Sequence, residues 1–209
     1  MIFYFSGVGG MSCYYMKKYP NIFRAMLLPS AWKYGTHRHG YAIDNGAFKS
    51  WIEKTPWNEK PFYSILDRSL KWNPSDFVVL PDIVGGGLSS IRLSCDHLAR
   101  VKSYGYPIYL PIQDNVPLKC LDWKTIPNTH SKLYEEIDGV FLGGTTFEFK
   151  KSIGKQLYNI AKDRGLKFHI GKIGTKEKLE WAISVNADSV DSSSISRART
   201  WDILDILIK

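Results

Sequence analysis

The chain reads as a series of short apolar runs, each closed by a polar or glycine-containing turn. Run 3–5 leads into Ser6-Gly7, run 25–28 into Pro29-Ser30, run 41–43 into Asp44-Asn45-Gly46, and run 77–80 into Pro81-Asp82. Run 108–112 leads into Gln113-Asp114, run 140–142 into Gly143-Gly144, run 167–170 into Gly171, and run 189–190 into Asp191-Ser192. Runs this short and this continuously apolar predict parallel strands buried on both faces.

Helical spacing fills the gaps between them. Phe149, Ile153, Leu157, Ile160 and Ala161 share a helix face before Gly165, a candidate C-cap. Ile91, Cys95, Leu98 and Ala99 do the same after Ser89-Ser90, candidate N-cap residues. Leu179, Ala182 and Ile183 follow Thr175, another candidate cap, and a last helix is expected over 201–207. The stretches 51–72 and 114–134, the latter with Pro117, Trp123 and Pro127, are expected to be long loops or insertions beside the site.

Alternating strands and helices make an α/β fold, and eight such units close a (β/α)8 barrel of the TIM type. With 209 residues the barrel is compact, with some helices replaced by irregular turns, and an open doubly wound sheet is the alternative. The chain shows no internal repeat and no linker, so residues 1–209 are read as one barrel domain.

The polar residues gain meaning from this frame. Ser6, Asp44, Asp82, Gln113, Gly143, Gly144, His169 and Asp191 all fall within or just after the carboxyl ends of predicted strands. That is the active-site face of barrels and open sheets alike. One aspartate at such a place is ordinarily a turn or cap residue. Three carboxylates at one mouth are costly to bury without a task, so Asp44, Asp82 and Asp191 together point to chemistry. Gly143-Gly144 lets the backbone approach a flat ligand, or makes a simple turn. His169, inside an apolar strand, reads as a hydrogen-bonded structural histidine, while His37 and His39 flank Arg38 in a loop and either touch phosphate or are solvated.

Charge and composition narrow the partner. Lys and Arg number 28 against 20 Asp and Glu, a formal charge of +8 that fits either a polyanionic partner or a solvated basic surface. Gly85-Gly86-Gly87 is no dinucleotide fingerprint, and no phosphate-loop motif is present. Cys13, Cys95 and Cys120 form no CxxC pair, and no histidine–carboxylate motif calls for a metal. The first residues lack the pattern of a secretory signal and no run approaches a membrane span, so a cytoplasmic protein without a membrane partner is expected.

Taken in order, these motifs resemble the tRNA-guanine transglycosylase superfamily, closest to its reduced phage members, the DpdA-like enzymes that place 7-deazaguanines into DNA. YAIDNGAF is similar to the family's Asp-Ser-Gly-Gly-Phe strand end, which implies Asp44 as the acid/base. LPDIV and PIQDN imply Asp82 and Gln113 as base-reading groups, and FLGGTTFE implies backbone contacts to the base from Gly143 and Gly144. The segment 170–199 matches the family's Gly-Thr/Lys-Pro-Glu-Asp-Leu, Val-Asp-Met-Phe-Asp and following arginine, implying Asp191 as nucleophile and Arg197 as a phosphate contact.

The resemblance spans roughly residues 40 to 200 in short motifs, and it has departures. The family's zinc-binding cysteine cluster and its added RNA-binding domain are missing. Ser192 stands where the family has cysteine after the nucleophile, Ala47 replaces the second glycine, and Arg199 is displaced by one residue. The resemblance implies guanine exchange on DNA without a cofactor, with a 7-deazaguanine base as second substrate. A tRNA substrate and a non-catalytic nucleic-acid-binding subunit are the alternatives. Arg197, Arg199 and Lys172 are the expected backbone contacts, and Phe48 or Tyr109 either stacks on the base or packs in the core. A homo-oligomer or a partner protein for substrate delivery is compatible with a barrel this small.

Overall fold

A computed structural model describes residues 1–29, 35–124 and 132–208. Eight parallel strands close on themselves in chain order: β1 (Ile2–Ser6), β2 (Phe23–Leu27), β3 (Tyr41–Ile43), β4 (Val78–Val79), β5 (Ile108–Ile112), β6 (Gly139–Leu142), β7 (Lys167–Ile170) and β8 (Ser189–Ser192). Pairing of β1 with β8, Tyr4 opposite Asp191, completes the ring. The (β/α)8 barrel is therefore the fold, and each predicted strand is present.

The helices are α1 (Gly10–Lys18), α2 (Ala47–Glu53), α3 (Glu59–Ser69), α4 (Leu88–Lys102), α5 (Phe147–Asp163), α6 (Lys176–Ser184), α7 (Ser194–Ala198) and α8 (Asp205–Ile208). Local chemistry sets their ends. The Thr146 and Thr175 hydroxyls accept from the N–H groups of Phe149 and Lys178, satisfying first-turn donors of α5 and α6. Gly165, at φ +70, follows α5 as a left-handed stop. The cap of α4 is Gly87 rather than Ser89-Ser90, because φ 53 and ψ −126 there is a conformation only glycine adopts readily.

The stretch 51–72 is not a loop. It holds the end of α2 and all of α3, capped by Asn58, with Phe62, Tyr63, Ile65 and Leu66 buried. Pro61 occupies the first turn of α3, where no N–H is needed. Among the described residues, two connections carry no α-helix: a 3₁₀ turn, Thr36–His39, lies between β2 and β3, and 3₁₀ turns Leu118–Asp122 and Leu133–Glu135 lie between β5 and β6. A Lys124–Lys132 bridge joins the latter pair, and Pro127 lies outside the described residues. The predicted last helix divides into a 3₁₀ turn, Trp201–Leu204, and α8.

The period-two pleat sorts side chains into two layers. Phe3, Phe5, Phe23, Leu27, Ile43, Leu110, Leu142, Phe168 and Val190 face the helices in the larger core. Tyr4, Met26, Ala42, Phe77, Val79, Tyr109 and Phe141 fill the barrel interior. Tyr109 stacks on Phe77 with centroids 4.0 Å apart, which makes it interior packing rather than a base platform. At the amino ends of the strands, Asp76 accepts from Tyr4 at 3.0 Å and pairs with Arg24. His37, just before β3 at that same end, stacks on Trp72 at 4.2 Å, on the face opposite the predicted site.

Candidate functional site

One residue beyond the interior layer, the same pleat aims polar groups at the carboxyl-end mouth. Ser6, Asp44, Gln113, Gly143, Gly171 and Asp191 continue the inward-facing series, and all line one cavity of about 560 Å³. Asp82, Phe48, Lys172 and Arg197 line it as well. Nine of the ten residues singled out as catalytic, base-reading or backbone contacts either line this cavity or touch a residue that does. Arg199 is the exception: it is exposed at φ 58, beyond α7, and is not part of the wall. A larger groove of about 870 Å³ runs along α2, lined mainly by apolar residues such as Trp51, Ile52, Trp57 and Ile83, with Ser50, Lys54, Thr55 and Asp82 also in its wall.

Asp191 is the most tightly held carboxylate. It is 8% exposed, its Oδ2 accepts from the Ser6 hydroxyl at 2.8 Å, and its Oδ1 lies 3.2 Å from His169 Nε2. His169 is fully buried, and its Nδ1 lies 2.8 Å from the Ser189 hydroxyl. An ionised carboxylate only accepts, so Nε2 carries the proton and Nδ1 accepts from Ser189. Burial favours the neutral acid, but His169, Ser6 and Lys150 outweigh it and hold the Asp191 carboxyl below its ordinary value. His169 is thus structural, as its strand position suggests, but the group it orients is the candidate nucleophile.

Asp44 is the opposite case. Withdrawal from bulk water, with Asp191 and Asp82 nearby, pushes its carboxyl up to about 7 against the pull of one hydrogen bond. That bond, from Gly46 N to Oδ1 at 2.6 Å, is an Asx turn, so the turn role and the site role coincide. Oδ2 has no hydrogen-bond partner among the described residues.

A chain of amides joins Asp82 to the backbone. Asn45 Nδ2 donates to Asp82 Oδ1 at 2.9 Å and Gln113 Nε2 donates to Oδ2, while Gln113 Oε1 accepts from Gly144 N at 2.9 Å. Burial raises the Asp82 carboxyl to about 6, with both amides opposing the rise. Gly143 is required for space: a Cβ there would stand 2.5 Å from Gln113 Nε2. Gly144 lies behind the wall, its N–H turned to Gln113 instead of to the cavity.

At the rim, Lys172 holds its ammonium 3.9 Å from the centroid of Phe48, a cation–π contact, and Phe48 stacks on Trp51. Arg197 donates to the Ser193 hydroxyl at 2.8 Å.

Two residues of the site were not singled out from the sequence. Asn45 looked like turn material. Lys150 is 3% exposed and lines the cavity, donating to Gly171 O at 2.7 Å. Spacing alone does not reveal it: the buried stripe of α5 is Lys150, Gly154, Leu157 and Ala161, one position round from the predicted face. A lysine on a buried stripe is rarely idle.

Among the described residues, no group of three or more His, Cys, Asp or Glu is placed to hold a metal ion, and no helix is long and apolar enough to cross a membrane. No family model matches the chain, and no curated protein matches it. Solved structures do. An HpcH/HpaI aldolase from Desulfitobacterium hafniense DCB-2 aligns over 99% of this chain and 91% of its own, with TM-score 0.54 and 9% identity. A tetrameric deoxyribose phosphate aldolase from Aeropyrum pernix aligns over 92% and 84%, with TM-score 0.50 and 13% identity. At such low identity the likeness is one of fold: the chain shares the barrel architecture of these two aldolases.

Proposed function

We propose that this barrel exchanges guanine for a 7-deazaguanine base in DNA, through a covalent bond between Asp191 and the sugar C1′. The observation that supports it most is the opposed ionisation of two carboxylates on one cavity wall. Asp191 is held as the anion and Asp44 is poised to carry a proton near neutrality. A retaining displacement at a glycosidic carbon needs that division of labour.

In the first half-reaction Asp191 attacks C1′, the bond from C1′ to N9 breaks, and the Asp44 proton goes to the departing guanine. In the second, Asp44 takes the proton from the incoming base, whose nitrogen attacks C1′ and frees Asp191. Asp82 accepts from the N–H edge of the base, and the Gln113 amide, backed by the Gly144 N–H, meets its carbonyl. Asp82, Gln113 and Gly144 pair with one another, so a guanine edge replaces hydrogen bonds that already exist. Adenine offers the wrong pattern and leaves buried groups unpaired.

Extraction of the base from a duplex brings phosphates to Lys172 and Arg197 and a base face to Phe48. The reaction needs no cofactor. The test is release of labelled guanine from duplex DNA on adding unlabelled 7-deazaguanine bases, with tRNA in parallel. Release from DNA that requires the added base supports the proposal. Release from tRNA alone keeps the chemistry and overturns the substrate, and silence on both favours a binding subunit.

A further inference from the structure

Beyond its pull on Asp191, base exchange gives Lys150 no task, yet its side chain is buried against the cavity. It projects from the first turns of α5 to the carboxyl end of β7, where its one hydrogen bond among the described residues goes to Gly171 O at 2.7 Å. Gly171 abuts the candidate nucleophile, since a Cβ there would stand 3.2 Å from Asp191 Oδ1. The amine and the carboxylate therefore serve the same end of one cavity. No carboxylate comes within ion-pair distance of Lys150 among the described residues, although it is 97% buried. A buried ammonium with no carboxylate in contact is expensive, which favours the neutral amine. Burial, with Lys172 adding repulsion, outweighs the attraction of the more distant Asp191 and brings Lys150 down to about 7. A neutral primary amine facing a sugar site is a nucleophile for carbonyl carbon.

We propose that Lys150 forms an imine with the C1′ aldehyde of an abasic deoxyribose in this cavity, giving the barrel a second, strand-cleaving lyase activity. The proposal rests on the reading that a nucleic-acid sugar enters here. Such an aldehyde arises whenever water instead of a base takes the sugar from Asp191. The amine adds to the open-chain C1′ carbonyl, the C–N bond forms, and the oxygen leaves as water, taking its two protons from the nitrogen and the medium. The resulting iminium acidifies C2′. Loss of a C2′ proton to a cavity carboxylate, Asp44 having the free oxygen, then expels the 3′ phosphate as the C3′–O bond breaks. Water hydrolyses the unsaturated imine and returns the amine, with no net oxidation or reduction.

The probe is a duplex oligonucleotide with one preformed abasic site, incubated with the full chain and sodium cyanoborohydride, with the adduct located by peptide mass mapping. The expected result is a reduced protein–DNA adduct on Lys150, forming at least tenfold faster at pH 8 than at pH 6. Lys150→Met and Lys150→Arg, their folding checked by circular dichroism, should lose it, the arginine variant showing that charge alone does not suffice. No adduct on the wild-type chain, an adduct mapped to Lys172 or another lysine, or undiminished trapping in both variants overturns the proposal. A preformed abasic site bypasses glycosidic cleavage. Trapping without base exchange would therefore sink the transglycosylase reading and keep Lys150, and exchange without trapping would do the reverse.

Discussion

His169 and Asp191 face each other across neighbouring strands, with Nε2 of the imidazole 3.2 Å from Oδ1 of the carboxylate. Ser189 fixes the other ring nitrogen, so a fully buried relay sets the direction and ionisation of the one carboxylate the mechanism uses as a nucleophile.

Loss of that relay should slow the first half-reaction without weakening substrate binding. A hydrogen bond to a charged group contributes roughly 1.5–3 kcal/mol, so His169→Ala is expected to lower the single-turnover rate about 10- to 100-fold at unchanged KM. Because His169 depresses the Asp191 carboxyl, the acid limb of the pH–rate profile should also move to higher pH. A KM effect with an unmoved acid limb would reduce His169 to packing.

On the proposed mechanism the alkaline limb belongs to Asp44. Its proton would leave with guanine, and the group is raised to about 7. Formation of the covalent intermediate in a single turnover should therefore fall as pH rises through about 7. Asp44→Asn should remove that limb together with most of the rate. A rate that climbs between pH 6 and 8 would take Asp44 out of the acid role.

Gly143 offers a test of base reading. Its backbone is not among the positive-φ glycines, so alanine meets no conformational penalty there, only the Gln113 amide at 2.5 Å. Displacing Gln113 should cost about 1–3 kcal/mol of base binding, seen as a KM for the incoming base raised roughly tenfold or more. Equal KM values for wild type and Gly143→Ala would remove Gln113 from recognition.

At the opposite end of the barrel the expected phenotype is reversed. Asp76→Ala leaves the Tyr4 hydroxyl and the half-buried Arg24 without their partner. A loss of about 2 kcal/mol is expected, lowering Tm by about 4–8 °C in a domain of this size, with the exchange rate at 25 °C preserved. Thermal melts and exchange assays on the same preparation check both halves.

Strand order and the mouth residues were legible because both follow from short-range rules. A buried parallel strand shows as a continuous apolar run, and the residue just past it must face the mouth or a turn. Where sequence reading failed, the deciding fact was three-dimensional. The stretch 51–72 passes for a loop until Phe62, Tyr63, Ile65 and Leu66 are found buried along α3. Lys150 passes for a surface lysine until the rotation of α5 about its axis is fixed by packing, and Tyr109 passes for a base platform until Phe77 is found stacked on it. The likeness to transglycosylases rests on short motifs, and the cavity adds their convergence: Asp44, Asp82, Gln113, Gly143 and Asp191, spread over 148 residues of chain, share one wall.

The most direct measurement is denaturing mass spectrometry of the protein incubated with guanine-containing duplex DNA in the absence of an acceptor base. The expected result is a covalent protein–DNA species that maps to Asp191, is absent from Asp191→Asn, and disappears when a 7-deazaguanine base is added. Exchange that proceeds normally in Asp191→Asn, or an adduct that persists in it, would contradict the assignment of Asp191 as the nucleophile.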